Sequence, residues 1–253
     1  MVVRIHGMIT LFPLKSHTAA TGKHSAHLII SIHIPKAAGR SFQSRLQSSF
    51  GSRALFDYGD WIGLDTPDVV ARRQLRRAEV QARRDELIRD YDIIHGHFAA
   101  DKYLELFPTT GFAAFFRDPH QQTVSHYQFF LRHPEIDHPA VRTFHEMRMS
   151  LSEFVAAFPR MQSRHLGRVA VEDLSMVGIM EQYERGVALF EAVFGRRLAP
   201  ETLRENVNPN RQGDAYSIDE TVRKAVDTHS ADDIELYRRA CERFGEQCAR
   251  YGL

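Results

Sequence analysis

Short apolar runs alternate with longer amphipathic stretches along most of the chain. Compact apolar runs over 27–34, 53–58, 92–97 and 112–116 predict buried strands, and "SMVGI", which begins at Ser175, predicts another. Since helical periodicity separates these runs, the pattern predicts an α/β fold. Its three layers would be a mostly parallel sheet with helices on both faces.

The amphipathic stretches predict the helices. After the first strand, Phe42, Leu46 and Phe50 fall on one helical face. Residues 66–92 are predicted to be strongly helical, with Thr66 as the N-cap and no glycine to interrupt. Further helices are predicted over 119–132, over 150–158, after "SMVGI" up to Gly195, and twice within 217–251. Residues 134–150 and 202–214 are predicted to be irregular.

The domain organisation is predicted to be simple. Residues 1–26 lack periodicity and are interpreted as an irregular arm, and 27–253 as a single domain without internal repeats. The chain has 253 residues, enough to bury a substantial core.

Composition and charge narrow the classes of protein. A net charge of +1 provides no strong field toward nucleic acid, so any anion site must be local. No apolar run has the roughly 20 residues that span a bilayer. Arg4, His6 and Lys15 interrupt the apolar residues of the N-terminus, so we expect no secretory signal and a cytoplasmic location. Cys241 and Cys248 are expected to be packed thiols. The oligomeric state is left open.

The turn after the first strand is the first candidate site. In "IHIPKAAGRSF" a buried strand runs into a small-residue turn that opens a helix, which brings backbone N–H groups and Lys36 together around an anion. Gly39 would let the backbone approach the ligand, and Ser41 can donate a hydrogen bond. The order differs from a Walker A loop, because Lys36 precedes Gly39. An ordinary turn with a surface lysine stays open as the alternative.

Two more stretches carry chemistry at predicted strand ends. Arg117 follows the 112–116 strand and Ser125 lies on the next helix, so both are candidates to grip a phosphate. The alternative is that Arg117 pairs with Asp118. "HGH" places His95 and His97 at another strand end, where an imidazole can act as a general base. Structural or metal-binding roles are the alternatives, although no acidic or cysteine partner follows at ligand spacing.

At this point the sequence resembles the carbohydrate sulfotransferases, in particular the branch of the heparan sulfate and uronyl 2-O-sulfotransferases. "IHIPKAAGRSF" is similar to their phosphosulfate loop, usually "IHIPKTGGTS", and "FFRDPHQQTVSHYQFF" to "LRDPxxRxxSxYYY". "HGHF" and "MQSRHLG" resemble their His-Gly-His and "NxQTRxLxG". "VGIMEQYERGVALFEAVFG" and "NVNPNR…DIELYRRACERF" resemble the late strand-helix segment and the "D..LY" helix. The matches keep the family's order over about residues 27–245.

The resemblance implies a P-loop-like sulfotransferase fold that uses 3′-phosphoadenosine 5′-phosphosulfate (PAPS) and transfers its sulfuryl group to a carbohydrate hydroxyl without a metal. It assigns the general base to His97, with His95 as its neighbour, and the 3′-phosphate to Arg117 and Ser125. Gln162 and Arg164 match a motif without an assigned role. The loop around the 5′-phosphosulfate would be formed by Pro35, Lys36, Ala37, Ala38, Gly39, Arg40, Ser41 and Phe42.

Four positions depart from the family pattern. Ala37, Ala38 and Arg40 stand where the family has Thr, Gly and Thr, and Gln122 stands where it has Arg. Two hydroxyls and one cation are therefore lost near the nucleotide. Two other classes stay open beside the enzyme: a nucleotide kinase or NTPase, and an inactive nucleotide- or glycan-binding member.

The acceptor side gives weaker signals. The arginine-rich helix over 66–92 is expected to be a salt-bridged surface rather than a polysaccharide site, because its acids nearly balance its arginines. Residues 134–150 are candidates to line the acceptor cleft, and Tyr58 and Trp61 are candidates to stack on a sugar. His33, His126 and the acids within 134–150 are the alternative bases.

Overall fold

A computed structural model describes residues 28–107, 111–200 and 215–253. The predicted arm over 1–26 and the predicted loop over 202–214 lie outside the described residues.

The core of the molecule is a five-stranded parallel sheet with the strand order β2-β3-β1-β4-β5. The strands are β1 (Ile29–Ile32), β2 (Ala54–Asp57), β3 (Ile93–Gly96), β4 (Phe112–Phe116) and β5 (Met176–Ile179). All residues of the four strands other than β2 are buried, as expected when helices cover both faces of a parallel sheet. The predicted strands and the α/β class are confirmed.

Helices connect and cover these strands. They are α1 (Gly39–Phe50), α2 (Pro67–Ala82), α3 (Arg84–Asp90), α4 (Asp101–Leu104), α5 (Pro119–Arg132), α6 (Pro139–Glu146), α7 (Leu151–Ala157), α8 (Met161–Leu166), α9 (Tyr183–Phe194), α10 (Glu220–His229) and α11 (Ala231–Tyr251). Phe42 and Leu46 of α1 are buried and Phe50 packs against the core, as the periodicity predicts. None of the helices in the described ranges is long and apolar enough to cross a membrane.

The helical prediction over 66–92 is confirmed, with a break at Arg83, where the backbone leaves helical geometry between α2 and α3. Leu87 of α3 packs into the core of the sheet. One prediction, of irregular structure over 134–150, was wrong. The stretch over 134–150 contains the helix α6, whose first amides are capped by His138 Nδ1 accepting from the Ala140 N–H at 3.1 Å.

A second apolar cluster lies beside the sheet. It joins Phe130 of α5, Phe144 of α6 and Phe154 of α7, each almost fully buried. Ser150 and Glu153 close the N-terminus of α7 with a reciprocal capping box. Since α5 carries residues of this cluster and also follows β4 directly, the cluster fixes the helix that borders the candidate site.

Candidate active site at the carboxyl edge of the sheet

The predicted site residues follow three neighbouring strands. β1 lies at the centre of the sheet between β3 and β4, and Ile32 at its end is in register with Gly96 and Ala114. From β1 the chain continues to β2, at one edge of the sheet, whereas the connection from β3 crosses over β1 to β4 on its other side. Ligands in such sheets bind outside the carboxyl ends of the strands where connections diverge in this way.

The turn between β1 and α1 is shaped as an anion cradle. Lys36 and Ala38 both have a φ of 64°, in the left-handed region. The Phe42 N–H donates to the Ala38 C=O at 3.1 Å, which leaves the N–H groups of the first α1 residues at the mouth of the turn. Alternation of left- and right-handed residues before a helix N-terminus directs successive amides toward one point.

Gly39 serves a different purpose from the one expected. Its φ is not positive, but a Cβ built on it would lie 1.6 Å from His33 Nε2. Glycine is therefore required for packing against the His33 ring. The left-handed position belongs instead to Ala38, where the family pattern has glycine, at a cost of about 1 kcal/mol.

The remaining predicted loop residues divide between the turn and the core. Ala37 and Phe42 are almost fully buried, and the Phe42 ring packs 5.0 Å from Phe115. Ser41 is partly exposed and Arg40 is exposed, both in the first turn of α1. Arg40 and Ser41 therefore remain accessible while Phe42 anchors the helix.

Side chains from the β4–α5 segment clamp the turn. Arg117 Nη1 donates to the Lys36 C=O at 3.0 Å, and Gln122 Nε2 donates to the Pro35 C=O at 2.8 Å. Gln122 thus contributes a structural contact where the sequence suggested only a lost cation. Ser125 is buried three residues along α5 from Gln122, on the same side of that helix.

Four cations influence one another around this turn, and we call Lys36, Arg40, Arg117 and Arg132 the cation group. The pKa of Lys36 falls to about 8 because of burial first, and then because of repulsion from Arg117, Arg132 and Arg40. The Lys36 ammonium also lies 4.5 Å from the centroid of the Phe129 ring. A bound anion would relieve this repulsion, so the group is suited to phosphate or sulfate.

Gln162 fixes the end of β4. Its side-chain oxygen accepts from the Arg117 N–H at 3.2 Å, and its amide nitrogen donates to the Arg117 C=O at 2.8 Å. The Asp233 carboxylate in turn accepts from the N–H groups of Gln162 and Ser163, both at 2.8 Å. Arg164, the other residue of that motif, forms an ion pair with Asp65 at 3.0 Å.

Histidines form a second group beside the cradle, and we call His33, His95, His97 and His165 the histidine group. The His33 ring stacks on His97 with centroids 4.1 Å apart and on His95 with centroids 5.0 Å apart. Both predicted histidines therefore face the same side of the sheet. His95 is 1% exposed, with Nδ1 2.9 Å from Ser31 Oγ, whereas His97 is partly exposed.

Burial keeps these imidazoles neutral. It is the main cause that holds the pKa of His97 well below its ordinary value, followed by the proximity of His165 and His95. Burial also lowers the pKa of His95 to about 3 and that of His165 to about 4. A neutral, partly exposed imidazole at His97 is able to accept a proton at neutral pH.

Tyr58 and Trp61 lie in different environments. The Tyr58 hydroxyl donates to Gln43 Oε1 at 2.9 Å and lies 2.9 Å from His33 Nδ1, so it accepts the His33 proton. Trp61 lies under the Arg72 guanidinium, 4.1 Å from the ring centroid. Tyr58 thus supports the histidine group instead of pairing with Trp61.

A buried ionic network, which the sequence pattern did not indicate, supports the β2 and β3 ends. Lys102 Nζ donates to Asp57 at 2.6 Å and to Asp60 at 2.7 Å, and Arg76 bonds to both carboxylates. A Cβ on Gly96 would lie 1.7 Å from the Asp57 carbonyl oxygen, so this strand end admits only glycine. The network therefore fixes the position from which His97 emerges.

The arginine-rich segment is a salt-bridged surface, as expected. Arg73 pairs with Asp65, Arg77 with Glu105, and Arg83 with Glu86. Within 28–107, 111–200 and 215–253, no three His, Cys, Asp or Glu side chains come together as a metal site. Cys241 and Cys248 are free thiols on α11.

The solved structures with a loosely similar fold include two sulfotransferases. A sulfotransferase from Alicyclobacillus acidocaldarius is 15% identical, with 82% of this chain and 92% of that chain covered and a TM-score of 0.42. Mouse sulfotransferase SULT7A1, complexed with PAP, is 14% identical, with 89% and 86% covered and a TM-score of 0.37. No protein-family model and no curated protein sequence matches the chain. At such low similarity, activity has to be argued from the residues of this chain.

Proposed function

We propose that this protein is a PAPS-dependent sulfotransferase that acts on a hydroxyl of a carbohydrate, with His97 as the general base. The observation that carries the proposal is that the cation group and the histidine group lie side by side at one edge of the sheet. Lys36 lies on the turn after β1, and His97 follows the adjacent strand β3. The motif resemblance supplies the identity of the donor.

The cation group fits the nucleotide. When bound, PAPS supplies the sulfuryl group and has two separate anionic ends. Lys36 and the first amides of α1 would hold the 5′-phosphosulfate, and Arg117 with Ser125 would hold the 3′-phosphate. The pKa of Lys36 falls to about 8 because of burial and, after it, repulsion from Arg117, Arg132 and Arg40, and this clustering of cations supports the fit.

The histidine group fits the acceptor side of an in-line displacement. His97 would remove the proton from the attacking hydroxyl, while Lys36 neutralises the charge that develops on the leaving oxygen. Positioning and charge stabilisation dominate transfers of this kind. His95 would support His97 from below, because its ring is buried and bonded to Ser31.

The kinase or NTPase alternative is less well supported. Asp57, the last residue of β2, and Asp60 just beyond it are buried carboxylates, and both are already bonded to Lys102 and Arg76. The cradle also lacks the Walker A order of glycine and lysine. The second candidate is a binding-only member, which the strain at Ala38 favours because the left-handed conformation that forms the cradle costs stability at an alanine.

Thermal shift with adenosine 3′,5′-bisphosphate, ATP, ADP and NAD tests the nucleotide class. We expect selective stabilisation by the bisphosphate, because a ligand of the native state raises stability by RT ln(1 + [L]/Kd). Selective stabilisation by ATP together with magnesium-dependent hydrolysis would instead establish the kinase or NTPase class. Transfer of sulfate from PAPS to uronic-acid glycans and simple hydroxyl compounds separates an enzyme from a binding-only member.

Arg117→Ala tests whether Arg117 binds the 3′-phosphate of the nucleotide. Since Arg117 also bonds to the Lys36 carbonyl, the affinities for both the bisphosphate and adenosine 5′-monophosphate should fall. The bisphosphate should lose about tenfold more, which corresponds to one charge-assisted contact. Equal losses would contradict a role for Arg117 at the 3′-phosphate. Arg164→Ala, which removes an arginine paired with Asp65, is the matched control.

A further inference from the structure

The proposed base needs a defined tautomer. For His97 to accept a proton from a hydroxyl at Nε2, its own proton must be on Nδ1. That nitrogen is buried and has no hydrogen-bond partner among the described residues. The hydrogen bond that one ring nitrogen makes determines whether the other is free to act as a base.

His165 offers the missing acceptor. It is 1% exposed, and its Nδ1 lies 2.7 Å from the Met161 carbonyl oxygen, so Nδ1 must carry the proton. Its Nε2 therefore has a lone pair, and it too is buried without a partner in the described ranges. Two buried imidazoles thus present one unsatisfied donor and one unsatisfied acceptor.

The two histidines are held close together. Their ring centroids lie 6.0 Å apart with an interplanar angle of 66°. The His165 C=O accepts from the Ala100 N–H at 2.8 Å, which ties α8 to the segment that carries His97. Directly bonded imidazoles have centroids about 5.2 Å apart, so a ring shift of about 1 Å or one bridging water completes the contact.

We propose that His165 is a positioning residue for the base: its Nε2 accepts the Nδ1–H of His97 and leaves the lone pair of His97 on Nε2, toward the acceptor. This inference rests on the proposed function. When His97 takes the acceptor proton on Nε2 it becomes an imidazolium, its Nδ1 proton stays in the bond to His165, and His165 remains neutral. The other titratable groups around His97 are His33, His95, His126 and Tyr58.

The backbone of His33 competes with His165 as the hydrogen-bond partner of the His97 ring, because it also lies close enough to interact with that ring. If that backbone orients His97, His165 has only a packing role. The variants must therefore preserve the volume of His165 while changing its acceptor. His165→Phe keeps a ring without an acceptor, and His165→Gln keeps an acceptor oxygen near the position of Nε2.

Long-range ¹H–¹⁵N correlation spectra of the ¹⁵N-labelled full chain report the tautomer, with His97 assigned through His97→Ala. We expect the Nδ1–H tautomer in the wild type and in His165→Gln, and a shift toward Nε2–H in His165→Phe. With PAPS and an acceptor, kcat should fall about 10- to 100-fold in His165→Phe and stay within about threefold of wild type in His165→Gln. His229→Phe is the control, because His229 is an exposed histidine in the last turn of α10.

If His97 is the Nε2–H tautomer in the wild type, the inference is overturned without any variant. The test therefore does not depend on whether His165→Phe folds. An unchanged tautomer in a folded His165→Phe overturns it as well and assigns His97 to the His33 backbone. If the protein transfers no sulfate, the spectra still decide whether His165 orients His97. The failure of the proposed function is then seen separately.

Discussion

The cation group and the histidine group lie at the same edge of the sheet, and burial lowers pKa values in both with opposite results. Lys36 starts from 10.5 and falls to about 8, so it stays mainly charged at neutral pH. His97 starts from 6.5 and falls well below it, so it stays neutral. One physical effect thus yields a cation that attracts an anion and, beside it, a base that can accept a proton.

The largest effect is expected from removing the His97 imidazole, which should abolish the base while leaving the cation group intact. His97→Ala should reduce sulfate transfer by about 10²- to 10⁴-fold, the usual contribution of a general base. Affinity for adenosine 3′,5′-bisphosphate should stay within about threefold, because the nucleotide is assigned to the cation group. Calorimetry and a transfer assay measure the two quantities.

His95→Ala is the comparison variant for this prediction and should lose less activity, since His95 is buried under His33. Normal transfer by His97→Ala, or a loss explained by failed nucleotide binding, would move the base to His33, His126 or an acid within 134–150.

Acid should protonate the buried histidines and destabilise the fold around them, while the cation group stays charged. Burial lowers the pKa of His95 and His126 to about 3 and of His165 to about 4, and also lowers those of His33 and His97. Because the unfolded chain binds protons near pH 6.5 and the folded chain does not, stability is lost as pH falls below 6.5. Each such histidine contributes up to about 1.4 kcal/mol per pH unit.

Urea unfolding at pH 7.5 and pH 5.5 measures this loss, which should reach several kcal/mol. His165→Gln should show a shallower dependence, since one buried imidazole is removed. A free energy of unfolding that stays constant over this range would mean that these histidines are not kept neutral. The pH profile of kcat/KM should likewise have its acid limb below 6.5.

Lys36→Ala tests the cation group directly. Under the proposed function Lys36 faces the leaving oxygen, so loss of its charge should reduce turnover by about 10²-fold, as for other preorganised electrostatic contacts. The matched control is Lys224→Ala, because Lys224 is an exposed lysine on α10 that pairs with Glu220. Full activity in Lys36→Ala would remove Lys36 from the mechanism.

Ala38→Gly should give the smallest effect, and in the favourable direction. Glycine relieves the left-handed strain at a φ of 64°, partly offset by the greater freedom of glycine in the unfolded chain. The net gain should be under about 1 kcal/mol, with bisphosphate affinity up to about fivefold higher. Thermal unfolding and calorimetry measure both.

Ala37→Gly provides the contrast. Ala37 is buried and is not among the residues with positive φ, so glycine there should destabilise the loop. Equal behaviour of the two variants would show that strain at Ala38 does not limit the cradle.

Part of the site was accessible from the sequence. The turn at Lys36, the strand end at Arg117 and the pair His95 and His97 were predicted because each follows directly on an apolar run. His165 was missed although it lies three residues after Gln162, on the same helical face of a motif already recognised. Helical spacing applied to that motif would have found it.

The sequence by itself determined the local elements, because the period of apolar residues and the position of glycine and proline act within a few residues of the chain. Only the tertiary structure decided that Gln122 clamps the Pro35 carbonyl, that Gly39 makes room for His33, and that His165 faces His97. Gln122 and Pro35, like His165 and His97, are distant along the chain, and Gly39 meets His33 only because of the way the turn between them folds. They depend on strand order and side-chain packing, which the spacing of apolar residues along the sequence does not reveal.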